Sequence, residues 1–326
     1  MSVLQLARPE IVALAPYSSA RMEARGGAIF LNANESPWPP PQDAGRGLNR
    51  YPEPQPDALL QRLARIYGVR SEQVLVGRGS DEAIDLLVRA FCRAGVDAVL
   101  ISPPTFGMYA VCARTQGATV TEVPLRDDCL LDIDAVLAAV TPALKLVFVC
   151  SPNNPSGGLV PLAEIERLAR ALDGRALLIV DEAYIEYAEA ISATTLLHRH
   201  ENLGVLRTLS KAWALAGARI GALLAAPEII ALLRRIMPPY PLPTPSVQAA
   251  LAAMAGVRVV LPSRANFIAF RIDDAANHYT HLQANGVVLR DIGRYPHLAG
   301  YLRLSIGLPE ENDRALALLA RAKVSA

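Results

Sequence analysis

The sequence predicts an α/β fold, built around a mostly parallel seven-stranded sheet with helices on both faces. Seven short apolar runs rich in Val, Ile and Leu recur between residues 74 and 225. They are continuous rather than alternating in polarity, which indicates strands buried on both faces. Longer stretches of helical periodicity separate these runs, and this alternation is typical of a parallel sheet.

The predicted elements follow one another in a simple order. Strands are expected at residues 74–77, 98–102, 119–123, 146–150, 177–181, 205–209 and 220–225. Helices are expected between them at residues 81–93, 106–116, 162–172 and 228–235. Since ligands of such sheets bind beyond the carboxyl ends of the strands, polar residues that follow a strand are candidate site residues.

Two domains are predicted, because 326 residues can bury one large core and a second, smaller one. Residues 46–245 would form the large α/β domain. Residues 1–45 and 246–326 would form a smaller α+β domain from both termini. Its expected elements are strands at 257–261, 267–271 and 301–305, a helix near 274–284 and a last helix from residue 309.

Amino-acid composition and the N-terminal sequence indicate which partners and which cellular location to expect. Lys and Arg total 32 against 31 Asp and Glu, so no surface for nucleic acid is expected. The four cysteines lie far apart, without metal-ligand spacing, which predicts free thiols in a reducing compartment and no metal site. The N-terminus does not resemble a secretory signal, and the apolar runs are too short to span a bilayer. A cytoplasmic protein without a membrane partner is therefore expected.

Lys211 is the first candidate for chemistry, in the segment TLSKAWALAGARIG. A lysine just after a buried strand is poorly solvated, which lowers its pKa and frees the amine for Schiff-base formation. Arg219, eight residues later, could return to the same site and bind a phosphate. A surface lysine followed by an unrelated arginine explains this segment alone equally well.

Asp181 is the second candidate, at the end of the apolar run LLIVD. A carboxylate there is costly unless it is paired. A pyridinium N–H is a suitable partner, because the ionised carboxylate would strengthen the ring as an electron sink. Tyr184 could then hydrogen-bond the 3-oxygen of such a ring. A helix N-cap is the alternative for Asp181.

Three loops add further candidates, each with a structural alternative. Asn154, in the turn-forming segment SPNNPSGG, could donate to the same 3-oxygen. Ser80 and Asp81 begin a helix after a glycine turn, where a phosphate would be favoured, although they also suit a simple N-cap. Tyr109 could stack on a flat ring or belong to the core.

Together these residues occur in the order and at the strand ends that one pyridoxal phosphate (PLP) site needs. The sequence also resembles a known family, the fold-type-I PLP-dependent aminotransferases, and within them the histidinol-phosphate aminotransferases. SPNNPSG and SKAxxLAGxRxG are shared with the wider superfamily. GRGSDEAIDLL, RYPEPQ and DEAYIEY resemble the histidinol-phosphate branch, and the resemblance runs from LNANESPWPPP to YLRLSIGLPEEN.

The resemblance implies a role for each position that matches. Lys211 would form the Schiff base and act as general acid and base, while Asp181 would pair with the pyridine nitrogen. Asn154 and Tyr184 would bind the 3-oxygen, and Tyr109 would stack on the ring. The phosphate would be held by the backbone of Ser80 and Asp81 together with Ser210 and Arg219.

The resemblance also implies substrate ligands and a homodimer with shared active sites. Arg303 and Arg290 would bind the anionic end of the substrate. Tyr51 would reach the phosphate of the partner subunit's cofactor. Additional substrate contacts are implied for Tyr17, Asn32 and Asn34.

The implied reaction is transamination of L-histidinol phosphate with 2-oxoglutarate, giving imidazole acetol phosphate and L-glutamate in histidine biosynthesis. An aromatic amino-acid aminotransferase, or a PLP decarboxylase of a phosphorylated amino acid, would share many of these motifs. The chain departs from the family in one place. After TPSVQAALAAMAG (residues 244–256) the family has a few tens more residues in a helix joining the domains. This interdomain helix is expected to be shortened or missing, which bears on how Arg290 and Arg303 are seated.

Overall fold

A computed structural model describes residues 2–19, 31–255, 265–295 and 298–321. Its main sheet has seven strands, each ending within two residues of its predicted bounds. They are β1 (Val74–Gly77), β2 (Ala98–Ile101), β3 (Thr119–Glu122), β4 (Leu144–Cys150), β5 (Leu177–Asp181), β6 (Leu203–Thr208) and β7 (Gly221–Leu224). The predicted α/β class is confirmed.

The strand order is β1-β7-β6-β5-β4-β2-β3, and only β7 runs antiparallel to its neighbours. The carboxyl ends of the other six strands therefore meet at one edge of the sheet. Because β7 returns antiparallel to β6, the residues that precede it also lie at this edge. Register pairs Thr208 with Gly221, so the loop between them opens towards the carboxyl edge.

Helices cover both faces of the sheet and enclose two clusters of buried apolar residues. Those of the first two-thirds of the chain are α1 (Pro9–Val12), α2 (Asp57–Tyr67), α3 (Ser80–Phe91), α4 (Met108–Gln116), α5 (Ile133–Ala138), α6 (Leu162–Ala171) and α7 (Pro227–Arg234). Short 3-10 turns lie at Val3–Leu6, Ser71–Gln73, Ile185–Tyr187, Ala193–Leu196 and Ala216–Ala218. Each main strand is almost wholly apolar because both of its faces are covered, the edge strand β3 excepted.

Two segments assigned to the small domain by the sequence pack against the large one instead. Val3 and Leu6 are buried in the same apolar cluster as α3 and α7, and the Arg8 amide donates to the Ala90 carbonyl. Helix α8 (Thr244–Ala255) buries Met254 in the cluster on the other face. Their apolar residues pack within the buried clusters of the large domain, so the prediction was wrong for these two segments.

The C-terminal residues form a three-stranded antiparallel sheet in the order β8-β10-β9. Its strands are β8 (Phe267–Arg271), β9 (Arg290–Asp291) and β10 (Tyr301–Ser305), with helices α9 (Ala275–Ala284) and α10 (Pro309–Arg321). The strand predicted at 257–261 lies outside the described residues. Across the described ranges, no helix is both long and apolar enough to span a membrane.

Candidate active site

A cavity of about 500 Å³ lies at the carboxyl edge of the main sheet. Loops after β1, β2, β4, β5 and β6 form its floor, and the β9–β10 side of the small sheet closes it. Ten of the fifteen predicted site residues line it: Ser80, Asp81, Asn154, Asp181, Tyr184, Ser210, Lys211, Arg219, Arg290 and Arg303. Segments far apart in sequence thus converge where the strand-end rule expects a ligand.

Lys211 lies three residues beyond the end of β6 and is partly buried. Burial lowers the pKa of its amine, and the nearby guanidinium groups of Arg303 and Arg219 lower it further. The Nζ atom lies 5.6 Å from the centre of the Tyr184 ring. No ion pair joins Lys211 to a carboxylate within the part of the chain that the structure describes. Its amine is therefore shifted towards the neutral, nucleophilic form.

Asp181 ends β5 with only 2 % of its surface exposed. Its Oδ2 accepts a hydrogen bond from the Tyr109 hydroxyl at 2.7 Å, and its Oδ1 accepts one from the Ala183 amide at 3.1 Å. Burial raises the pKa of this carboxyl to about 6, against the lowering effect of both donors. A buried carboxylate that borders a cavity without a cationic partner among the described residues is a site for a cationic ligand atom.

Asn154 and Tyr184 form one hydrogen-bonded chain with Arg303. The Asn154 Nδ2 donates to the Tyr184 hydroxyl at 3.2 Å, and the Arg303 Nη1 donates to the Asn154 Oδ1 at 2.5 Å. The Arg303 guanidinium also lies 5.1 Å from the centre of the Phe267 ring. Arg303 thus ties the small domain to the loop after β4.

A cradle for an anion lies where the loop before β7 meets the first turn of α3. Arg219 reaches the Ser210 hydroxyl at 3.3 Å and the Asp81 carboxylate at 3.2 Å. Gly221 permits this approach, because a Cβ there would lie 2.3 Å from the Ser80 amide nitrogen. Free amides at a helix start, a hydroxyl and a guanidinium are the groups that bind phosphate.

Arg290 and Arg303 lie directly opposite each other on β9 and β10. Like charges at such paired positions repel each other. No carboxylate forms an ion pair with either within the described ranges. Both side chains border the cavity, so an anion entering it would relieve the repulsion.

The prediction for Tyr109 needs correction, because its ring lies in the protein core and does not border the cavity. It is fully buried and stacks on Phe148 with ring centres 4.7 Å apart. Phe106, one turn earlier, lines the cavity instead. The sequence placed an aromatic at the start of this helix correctly but chose the wrong member of the segment TFGMY.

Comparison with known proteins identifies the family of this chain. The family "Aminotransferase class I and II" matches residues 29–260. The chain belongs to the class I and II aminotransferases. A histidinol-phosphate aminotransferase from Stenotrophomonas maltophilia is 52% identical, over 99% of this chain and 98% of that protein.

Solved structures resemble this aminotransferase over most of its length. The histidinol-phosphate aminotransferase of Sinorhizobium meliloti, in complex with pyridoxal-5'-phosphate, has a TM-score of 0.76 at 27% identity and covers 97% of both chains. An L-threonine-O-3-phosphate decarboxylase from Porphyromonas gingivalis has a TM-score of 0.69 at 22% identity, covering 84% of this chain and 91% of its own. The second likeness shows the fold alone.

The aminotransferase is also shorter than its relative in the interior of the chain. The alignment with the Stenotrophomonas protein extends over 357 positions, whereas this chain has 326 residues. Nearly all of both proteins is covered, so roughly 30 positions of the relative have no counterpart here. The shortening of the interdomain helix stays a prediction, since the segment after residue 255 lies outside the described residues.

The residues at this cavity fit the cofactor PLP. Asp181 offers a buried anionic oxygen to a pyridinium N–H, and the Asn154–Tyr184 pair offers hydrogen bonds to a 3-oxygen. The cradle at Arg219 and Ser210 suits the phosphate. Lys211, with its lowered amine pKa, would meet the aldehyde.

Four predicted site residues lie outside this cavity within the single chain. Tyr51 is 48% exposed and stacks on Tyr240, with ring centres 4.5 Å apart. Tyr17 lines a separate cavity beside α2 and α7. Asn32 and Asn34 are exposed. None of these four side chains borders the described cavity of its own chain.

Sequence reasoning missed several side chains that border the cavity besides Phe106, among them a charged one and a second aromatic one. Arg294 and Tyr295 follow β9 in the segment RDIGRYP, and both line the cavity. The Arg294 guanidinium lies 5.5 Å from the centre of the Tyr295 ring. An arginine four residues after Arg290 is the signal that could have found it.

Proposed function

We propose that this PLP-dependent aminotransferase converts L-histidinol phosphate and 2-oxoglutarate to imidazole acetol phosphate and L-glutamate, in histidine biosynthesis. One observation carries the proposal: Lys211, buried Asp181 and two arginines that form no ion pair with a carboxylate of the described residues border the same cavity. The high identity to the Stenotrophomonas enzyme supports this substrate. The location in the cytoplasm stays a prediction from the sequence.

PLP, when bound, supplies an aldehyde that condenses with amines and a ring that accepts electrons from the carbon losing its proton. Asp181 would hold the proton on the ring nitrogen. Asn154 and Tyr184 would orient the ring through its 3-oxygen. The backbone amides of Ser80 and Asp81, with Ser210 and Arg219, would hold the phosphate, and Phe106 would take the stacking position first expected for Tyr109.

Lys211 is the proposed general base and acid. Its lowered amine pKa follows from burial beside two arginines. When it is free, the Lys211 amine would accept the proton from the substrate α-carbon, and the ammonium that results would return a proton later in the same half-reaction. One side chain can do both because a neutral lysine of lowered pKa is a base and its ammonium form an acid.

The arginines at the small-domain side would bind the anionic end of both substrates. Arg290 and Arg303 face each other across the small sheet and offer planar donors to a phosphate monoester or a carboxylate. Arg294 adds a third positive charge at the cavity wall. This arrangement favours an anionic tail over an uncharged aromatic ring.

A homodimer with shared sites is the proposed assembly. Tyr51 stands away from the cavity of its own chain with 48% of its surface exposed. Leu31, Trp38 and Tyr17 expose 89%, 77% and 68% of theirs, which is unusual for large apolar side chains. A second copy covering this surface would bury them and could bring Tyr51 to the cofactor phosphate of the partner.

The function is tested by the half-reaction with four amine donors. Holoenzyme is mixed with histidinol phosphate, phenylalanine, tyrosine or threonine phosphate, and formation of pyridoxamine phosphate is followed by absorbance. Histidinol phosphate should react with the highest kcat/KM. A preference for phenylalanine or tyrosine would replace the proposal with an aromatic aminotransferase, and release of carbon dioxide from threonine phosphate with a decarboxylase.

A further inference from the structure

Tyr109 contacts the Asp181 carboxylate from the side that faces the protein core. Its hydroxyl donates to the Asp181 Oδ2 at 2.7 Å, and no part of the tyrosine is exposed to solvent. Burial and the neighbouring carboxylate raise the pKa of this phenol well above its ordinary value, so it keeps its proton and remains a donor. A neutral donor is therefore held permanently against a buried carboxylate.

Aromatic packing holds the Tyr109 ring in this position. Phe148 stacks on it at 4.7 Å with an interplanar angle of 4°, and Phe106 meets it edge-on at 5.6 Å. The first belongs to β4, next to the strand that carries Asp181, and the second lines the cavity. The hydroxyl cannot turn away without moving rings on both sides.

Few other groups stabilise the charge on Asp181. Among the described residues, its other direct donor is the Ala183 amide at 3.1 Å. The titratable groups that act on it from the surrounding elements are Lys211, Asp81, Cys150 and Tyr184. Lys211 alone among them favours the charged form by its own charge, and Asp81 opposes it. The hydrogen bond from Tyr109 therefore provides much of the stabilisation that keeps this carboxylate ionised.

We propose that Tyr109 is a positioning residue, which keeps Asp181 ionised and directed at the cofactor's ring nitrogen without touching the cofactor itself. This inference rests on the proposed function, since it assigns Asp181 to that nitrogen. It also explains why a tyrosine rather than a phenylalanine occupies a fully buried position in an otherwise apolar cluster.

The test is the pH dependence of PLP binding by the full chain and by Tyr109→Phe. Asp181 must be ionised to bind a pyridinium, so wild-type affinity should fall as the pH drops below about 6. Loss of the donor makes ionisation harder, so this decline should begin about one pH unit higher in Tyr109→Phe. The ratio of the two dissociation constants should be near one at pH 8.5 and roughly five to ten at pH 5.5.

Tyr67→Phe is the matched control, because Tyr67 is also a buried tyrosine but packs beneath Arg207 in the cluster on the other face of the sheet. It should leave the ratio near one at every pH. In an Asp181→Asn background, Tyr109→Phe should lose its pH-dependent effect. A difluorotyrosine at position 109, a stronger donor of nearly the same shape, should move the decline to lower pH.

The outcomes separate this inference from the proposed function. A ratio that is constant across pH, whether at one or above it, would overturn the role of Tyr109 and leave the aminotransferase proposal intact. A wild-type chain that binds no PLP, or binds it without loss on the acid side, would overturn the assignment of Asp181 and the inference together.

Discussion

At the scale of single residues, Asp181 shows how the site is built at the expense of stability. Its carboxylate is buried at the end of an apolar strand, and burial raises its pKa to about 6. The unfolded chain ionises this group near its ordinary value, about 3.8. Between these values Asp181 carries a proton in the folded chain that it has lost in the unfolded chain. The free energy of unfolding therefore falls as the pH rises from about 4 to 6, and it stays lower above that.

Asp181→Asn should therefore stabilise the protein while damaging its function. At pH 7.5 the cofactor-free variant should gain roughly 2 to 3 kcal/mol in free energy of unfolding, because no buried charge remains. Urea denaturation of both cofactor-free proteins measures this difference. The gain should shrink at pH 5, where wild-type Asp181 is largely protonated; an equal gain at both pH values would contradict the account.

Lys211 is one of only three lysines in the chain, with Lys145 and Lys323. Lys211→Ala should reduce multiple-turnover transamination by about a thousandfold or more, because it removes the amine that forms the Schiff base and moves the proton. Steady-state assays of glutamate formation measure this. Lys145→Ala, in strand β4, is the control and should keep nearly full activity. Substantial turnover by Lys211→Ala would refute the assignment.

At the scale of elements, the phosphate cradle depends on how closely β7 approaches α3. Gly221 starts β7, and a Cβ there would lie 2.4 Å from the Gly79 carbonyl carbon as well as against the Ser80 amide. Both contacts are with backbone, so neither can yield by a side-chain rotation. The antiparallel return of β7 brings Arg219 to the cradle only because this position is a glycine.

Gly221→Ala should push the two elements apart. We expect a loss of about 1 to 3 kcal/mol in stability and markedly weaker PLP binding. Thermal unfolding and PLP titration measure the two effects. Gly217→Ala is the matched control, because a Cβ there meets nothing within 4 Å. If Gly221→Ala and Gly217→Ala both bind PLP with wild-type affinity, the close approach of β7 to α3 is not required for cofactor binding.

The facing arginines of the small sheet make a second prediction at this scale. Arg290→Gln removes one of two opposed like charges, so the unliganded protein should be as stable as wild type or slightly more stable. The same change should raise the KM for histidinol phosphate by about tenfold or more, because charge-assisted hydrogen bonds to the anion are lost.

Arg271→Gln, on neighbouring strand β8, is the control for Arg290→Gln, because Arg271 pairs with Tyr301 and does not line the cavity. Its KM should stay close to that of wild type. Steady-state kinetics and chemical denaturation of the three proteins measure both effects. A fall in stability with an unchanged KM would make Arg290 a structural residue.

At the scale of the whole molecule, a single chain provides a cavity but not every predicted ligand. Tyr51 and Tyr17 lie away from it on exposed surface. If two copies share their sites, each cavity combines Lys211 of one chain with Tyr51 of the other. If one chain is altered at Lys211 and the other at Tyr51, one of the two sites of their mixed dimer should then contain neither alteration.

Mixing Lys211→Ala with Tyr51→Phe protomers tests this. One site of the mixed dimer would carry both defects and the other neither, so PLP binding and turnover should recover towards half of the wild-type value per mixed dimer. Tyr51→Phe keeps the ring that stacks on Tyr240, which limits its effect to the hydroxyl. Activity no greater than the sum of the two separate variants would argue against shared sites.

Much of the large domain could be predicted from the sequence, because its signals are local. Continuous apolar runs indicated seven buried strands, and polar residues at or near their ends marked eight of the cavity's side chains, while Arg290 and Arg303 came from the family resemblance. Residues 3–7 and helix α8 were misassigned for the opposite reason. Their apolar faces are compatible with either domain, and only contacts with distant helices select one.

The sequence by itself determined the fold class and marked Lys211 and Asp181 as site candidates, because strand burial and the polar residues at strand ends can be recognised from local polarity. Only the tertiary structure decided which aromatic of TFGMY borders the cavity and which supports Asp181. Phe106 lies just before helix α4 and Tyr109 lies in its first turn, three residues later, and both carry flat rings. The difference arises from packing, since Phe148 and Asp181 come from other strands to enclose Tyr109.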